Sequence, residues 1–164
     1  MPIRRLLPAL LLVPVLLAIT APAGAGPRTD IKLVRETNED RAEKGLRPLR
    51  RSHTLTMLAR SHSVAMARRA ARAYGGRGSR QALYHNNISG RVHGWTWIGQ
   101  NVGCGTIVGG RMGRAADRIQ GAFLRSRGHR ANILYPGANR VGVGTYAKDG
   151  ILWVTVNFMR VRTG

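Results

Sequence analysis

The sequence predicts an α+β fold, a three-layer α-β-α sandwich with a central antiparallel sheet. Three observations predict it. Apolar residues recur at helical spacing in three separate stretches. Near the C-terminus two β-segments flank Lys148-Asp149-Gly150, which reads as a hairpin turn. The second of them, Ile151–Val161, is apolar on both faces and is therefore central and covered on both sides. The chain is organised around Gly128–Leu134, read GHRANIL, which joins the last long helix to the hairpin and holds His129.

The N-terminal stretch stands apart. Arg4 and Arg5 precede an almost wholly apolar run, Leu6–Ile19, and Ala23-Gly24-Ala25 follows as a small-x-small cleavage site. This is the three-part pattern of a secretory signal peptide, so residues 1–25 are expected to be removed and 26–164 to form one domain. The run is shorter than the roughly 20 residues a membrane-crossing helix needs, so the mature chain is expected to have no transmembrane span.

Thr29 can cap a first helix over Asp30–Lys44 that Gly45 ends, with Ile31, Val34, Asn38 and Arg41 on one stripe. Asn38 and Arg41 on that stripe require hydrogen-bond partners, most simply backbone groups. Pro48 makes Leu46–Leu49 an extended link. A second helix covers Thr54–Ala73, with Leu55, Leu58, Ala59, His62, Ala65, Met66, Arg69 and Ala70 in register, so His62 reads as a hydrogen-bonded core residue. Tyr74–Arg80 is a Gly- and Arg-rich loop. Asn87-Ile88-Ser89 fits a glycosylation pattern. Val92–Gly105 supplies a strand that ends in a Gly-rich turn, without the context of a nucleotide-binding loop.

A third helix spans Gly110–Ser126, and Gly128 offers a left-handed stop before a short helix at His129–Leu134. In Arg140–Tyr146, Val141, Val143 and Thr145 alternate with Gly142, Gly144 and Tyr146.

The charge balance bears on partners. The chain holds 27 Lys and Arg against 7 Asp and Glu, a formal net charge of +20. Such a field attracts polyanions. For an exported chain these are anionic cell-envelope polymers or lipids, and nucleic acid is not expected. Along the sequence the charges are scattered rather than blocked. Cys104 is the single cysteine, so no intramolecular disulfide forms, and its small-residue surroundings predict a buried, inert thiol. There is no Gly-x-Ser-x-Gly elbow, and a Cys104–His129 nucleophile pair has no acid to orient it.

Several motifs, in order, resemble the CAP superfamily of cysteine-rich secretory, antigen 5 and pathogenesis-related proteins. They are Asn38-x-x-Arg41, Gly45–Leu49, Ala59-x-x-His62-x-x-x-Met66, Leu83-Tyr84-His85-Asn86 and Gly99-Gln100-Asn101-Val102-Gly103. The most specific is Ser126–Leu134, with Val141-Gly142-Val143-Gly144 behind it. The likeness covers about Asp30 to Arg160 and favours the bacterial, disulfide-free secreted branch.

The resemblance implies an α-β-α sandwich with a surface cleft, the CAP fold. In the family that cleft often holds two histidines and two acidic residues and can bind a divalent metal such as zinc. The histidines fall on His85 and His129. One acidic place, normally in Gly-Glu-Asn, is Gln100 here, and the other falls near Ser126.

Two imidazoles without an anionic ligand predict weak or absent binding of zinc or another divalent metal. An acid–base carboxylate pair is also lacking, since only Asp117 is acidic between Glu43 and Asp149. The expected function is a secreted, non-enzymatic binding or envelope-associated module, with His85, Gln100, Ser126 and His129 as its ligand face. The alternatives are a metal-dependent hydrolase acting on envelope material, with Asp117 or a partner supplying the acid, and a lipid- or sterol-binding protein.

Overall fold

The computed structural model describes residues 26–75 and 80–162. The signal peptide read at 1–25 and the centre of the loop read at Tyr74–Arg80 lie outside the described residues. The elements run α1 (Pro27–Ala42), β1 (Arg50–Arg51), α2 (His53–Tyr74), β2 (Trp95–Thr106), α3 (Met112–Arg125), α4 (Arg127–Ile133), β3 (Arg140–Lys148) and β4 (Ile151–Val161). Single turns of 3-10 helix at Arg80–Ala82 and Ser89–Arg91 interrupt the connection from α2 to β2.

The sheet has the order β1-β3-β4-β2. The three long strands pair antiparallel, as expected. The end of the extended link adds a two-residue edge strand, β1, that pairs parallel with β3, so the sheet is mixed. β4 is central and buried from Leu152 to Met159. Asp149 and Gly150 turn the hairpin with φ of 51° and 73°, the two positive values that an Asp-Gly pair supplies.

The two faces are covered differently. On one, Val141, Val143, Leu152, Val154, Val156 and Phe158 meet Leu33, Ala115, Ala116, Phe123 and Ile133 of α1, α3 and α4. On the other, α2 lies directly on glycine. A Cβ at Gly144 would come within 2.0 Å of the Arg60 backbone nitrogen, and one at Gly142 within 2.2 Å of the Leu55 carbonyl carbon. The Gly142/Gly144 face of the alternating strand is thus the seat of α2. Trp153, Val102, Met66 and Ala70 extend this layer.

Several local expectations are corrected. α1 starts at Pro27, not after a Thr29 cap: Pro27 supplies the preset φ of a first helical residue, and Thr29 is buried in the first turn. Its buried stripe is Asp30, Leu33, Val34, Thr37 and Arg41, while Ile31 is 48% exposed. Three polar side chains in the stripe conceal its period, and each is tolerated because it is hydrogen bonded. Arg41 donates to the carbonyls of Arg47, Ile133 and Tyr135 at 2.8–3.0 Å. Asn38 exchanges bonds with the Leu49 backbone, as expected of it.

Between α3 and α4 the break falls at Ser126, which is extended at φ −85° and ψ 122°, and not at Gly128, which is helical. The Ser126 carbonyl accepts the Arg130 N–H and so begins α4. On α2, Arg69 is exposed and Ala65 half-buried, so that stripe is narrower than its spacing suggests.

Candidate functional site

β2 lies at an edge of the sheet, with β4 on one side only. Side chains from both helical layers converge on its free edge around Gln100. From the α2 side comes the loop that carries His85. It is fixed by His62, whose Nε2 bonds the Tyr84 carbonyl at 2.8 Å and whose ring meets the Tyr84 ring edge-on at 4.6 Å. His62 therefore fills the core role expected of it, and in doing so places the neighbouring His85.

Gln100 is 9% exposed, and both ends of its amide are engaged. Its Oε1 accepts the Asn86 backbone N–H at 3.1 Å and lies 3.2 Å from His85 Nδ1. A backbone N–H can only donate, so this bond fixes which end of the amide is oxygen. Its Nε2 donates to Asn86 Oδ1 at 2.7 Å and to Asn157 Oδ1 at 2.8 Å. Asn157 is turned that way because its own Nδ2 donates to the Leu55 carbonyl at 3.3 Å.

From the opposite layer, α4 brings His129 and Asn132. Asn132 Nδ2 donates to the Gln100 carbonyl at 3.2 Å and to Asn101 Oδ1 at 2.9 Å, which caps the open strand edge. Asn101 Nδ2 holds the His129 carbonyl at 3.0 Å. The His129 ring meets Phe123 edge-on at 5.0 Å. Burial lowers the pKa of His129 from 6.5, and the nearby charge of His85 lowers it further. Two imidazoles therefore flank Gln100 across the sheet edge, with His85 exposed and His129 half-buried.

The other candidates are placed elsewhere. Ser126 is half-buried at the α3–α4 break, and no hydrogen bond ties its hydroxyl to His85, Gln100 or His129 among the described residues. Cys104 is half-buried, not buried, and packs with the Met66 and Trp153 cluster beneath α2. Burial pushes its thiol up, away from the thiolate. His129 stands in the other layer, so the two form no nucleophile pair.

The acids are committed elsewhere too. Asp30 is bonded to Thr145 and Arg60, Asp40 to Gln120, and Glu39 to Arg35. Asp117 pairs with Lys32 at 2.6 Å, and Glu36 shares the same lysine. It therefore supplies no replacement acid beside Gln100. Among the described residues no three His, Cys, Asp or Glu side chains form a group able to hold a metal. The donor set for zinc is two imidazoles and an amide oxygen already engaged by a backbone N–H, which does not fit the three or four ligands such a site needs.

Comparison with known proteins gives the family and the fold. The model of the CAP, or cysteine-rich secretory protein, family matches residues 34–158. The chain belongs to the CAP family. It is 29% identical over 122 residues to YkwD of Bacillus subtilis, a match that covers 74% of this chain and 44% of that protein. The CAP domain therefore spans less than half the length of that relative.

Among solved structures, an outer surface protein of Borrelia burgdorferi superposes with a TM-score of 0.67 at 15% identity, over 85% of this chain and 98% of that one. An extracellular protein containing an SCP domain from Bacillus anthracis superposes with a TM-score of 0.55 at 26% identity, over 81% of this chain and 40% of that one. Both have the CAP fold, an α+β sandwich. No described helix of this CAP domain is long and apolar enough to cross a membrane.

The resemblance implied a ligand face of His85, Gln100, Ser126 and His129; the structure brings His85, Gln100 and His129 to one edge and shows no hydrogen bond from the Ser126 hydroxyl to them among the described residues. Sequence reasoning missed Asn86, Asn132 and Asn157, which hold Gln100 in place. A signal for Asn157 was present: it is a lone amide in an apolar central strand.

Proposed function

We propose that this CAP domain is a secreted, non-enzymatic binding module of the cell envelope. Its ligand face is the cleft of His85, Gln100 and His129, and its net positive charge favours anionic envelope polymers or lipids. One observation carries the reading: Gln100 is held as a neutral amide by four hydrogen bonds, so at its place the cleft has neither a carboxylate to act as acid or base nor an anionic metal ligand. The exposed His85 and half-buried His129 offer imidazole donors and acceptors that can recognise a polar ligand through hydrogen bonds. Without Arg4 and Arg5 of the signal-peptide pattern the formal charge is still +18 (25 basic against 7 acidic residues), which would bring an anionic surface within reach. The outer-surface and extracellular descriptions of the structural neighbours agree with an envelope location, as does the signal-peptide pattern at 1–25.

The closeness of His85 and His129 favours a second reading, a metal-dependent hydrolase of envelope material. In it the two imidazoles would hold the ion, which would activate water. Sedimentation with isolated cell-wall and membrane fragments separates the two. The binding reading predicts that the mature protein sediments with fragments, is released by salt, and liberates no sugar or phosphate when zinc is added. Zinc-dependent release of fragment material that His129→Ala abolishes would replace it with the hydrolase.

A further inference from the structure

Five of the arginines that look scattered along the sequence are gathered in space. At the end of the sheet away from the β3–β4 turn, Arg47, Arg50, Arg140, Arg160 and Arg162 line one groove of about 1010 Å³, together with the Asn139 region. They come from the link before β1, from β1, from the start of β3 and from the end of β4. None of the seven acidic residues lines the groove, and no ion pair reaches any of these five arginines among the described residues. Among the described residues the Arg140 side chain donates to the Asn139 carbonyl, at 3.0 Å.

Arg50 and Arg140 are direct partners across the β1–β3 pair. Like charges placed opposite one another destabilise a sheet. The fold thus carries an electrostatic cost at this end that no acidic side chain among the described residues offsets, and an anionic ligand would offset it.

We propose that this groove is a binding site for a linear polyanion that bears phosphate groups along its length. The inference rests on the anionic-partner half of the reading above and gives it a location apart from the His85–His129 cleft. Guanidinium groups offer paired donors that match phosphate oxygens. Five of them, from four segments, exceed what one phosphate can engage and suit a chain laid along the groove. The site is concave, whereas a bilayer surface is met by protruding cations. No aromatic ring lines it, so it lacks the stacking platforms of single-stranded nucleic-acid sites and selects for charge along a backbone.

Long-chain inorganic polyphosphate is the probe. Its binding to the mature protein would be measured by calorimetry over a range of salt concentrations. Two double variants, each removing two positive charges, would be compared: Arg50→Gln with Arg160→Gln in the groove, and Arg68→Gln with Arg72→Gln on the exposed face of α2. The groove variant is expected to lose at least about tenfold in affinity. The slope of log affinity against log salt should fall by about two, one for each lost phosphate contact. The α2 variant should stay within about threefold, as a purely long-range effect of the same charge change. Melting of the groove variant at or above the wild-type temperature would show that its loss is not unfolding.

Equal losses in the two variants would overturn the groove while leaving general anionic affinity intact. Wild-type binding to phosphatidylglycerol vesicles but not to polyphosphate would also overturn it, in favour of a membrane surface. Wild-type binding to neither would remove the anionic-partner reading itself.

Discussion

The sheet has two free edges, and each is crossed by a polar clamp of opposite chemistry. Beyond β1, which covers only Arg140 and Val141, the outer edge of β3 is closed by Asp30 of α1. This carboxylate, 2% exposed, accepts the Thr145 N–H at 2.9 Å, the Thr145 hydroxyl at 2.7 Å, and two bonds from Arg60 of α2 at 2.6 and 2.7 Å. The β2 edge is closed by Gln100 and Asn132 and contains no charge that a neighbour balances. A carboxylate is used where a cation and two donors converge, and an amide where acceptors and donors alternate. At the second edge Gln100, where the CAP resemblance implies an acidic residue, is part of a self-consistent amide network.

Exchanging the two chemistries breaks the comparison most directly. Asp30→Asn removes the charge that Arg60 faces and disturbs the cap on Thr145. Arg60 is partly exposed, which discounts the loss, so denaturant unfolding should show a cost of about 2–3 kcal/mol. A cost under about 0.5 kcal/mol, the range of ordinary surface changes, would mean that the edge is held by packing alone.

The reverse exchange, Gln100→Glu, sets a carboxylate against the oxygens of Asn86 and Asn157. It should cost about 1–3 kcal/mol at neutral pH, the range for an unsatisfied buried polar group. Repulsion and burial would raise the folded-state pKa of the new carboxyl above its unfolded value. The lost stability should therefore be regained as pH falls through that raised value, and be complete below the unfolded one. A variant whose stability relative to wild type does not change with pH would show that the asparagines reorient to donate instead.

The histidines sharpen the picture on the same side of the sheet. Burial, with the charge of His85 added, holds His62 and His129 below their ordinary 6.5. A base with a depressed folded pKa contributes stability that is present above the unfolded value and lost as pH falls through the folded one. Melting temperature should thus decline from pH 6.5 downward, and His129→Gln should flatten part of that decline. An unchanged slope would place the His129 imidazole in water. The smallest effect is expected from Asn132→Ala, which uncaps the Gln100 carbonyl. About 1 kcal/mol should be lost, together with faster hydrogen exchange near Asn101. No change in exchange would assign the cap a purely local role.

Much of this was legible in the sequence because it is periodic. Helical spacing in α2 and α3, the Val/Gly alternation of β3 and the Asp-Gly turn are local signals that tertiary packing reinforces. That His85, Gln100 and His129 share a cleft was implied by the resemblance to the CAP family, and not by any local pattern of the sequence. What stayed hidden depends on contacts made at a distance. The α1 stripe was misplaced because its buried members Asp30, Thr37 and Arg41 are polar, and only Thr145, Gln120 and distant carbonyls make them tolerable. The break at Ser126 is a backbone choice, and the adjacent glycine drew the prediction two residues too far. The amide network and the arginine groove are built from residues on separate segments, and no single stretch of sequence announces either.

Zinc titration by calorimetry into the metal-stripped mature protein bears most directly on the central claim, that an amide-built cleft binds rather than hydrolyses. The account predicts no resolvable one-site binding for wild type at neutral pH. One tightly bound ion per chain, lost in His129→Ala, would contradict it and make the two histidines a working metal site despite Gln100.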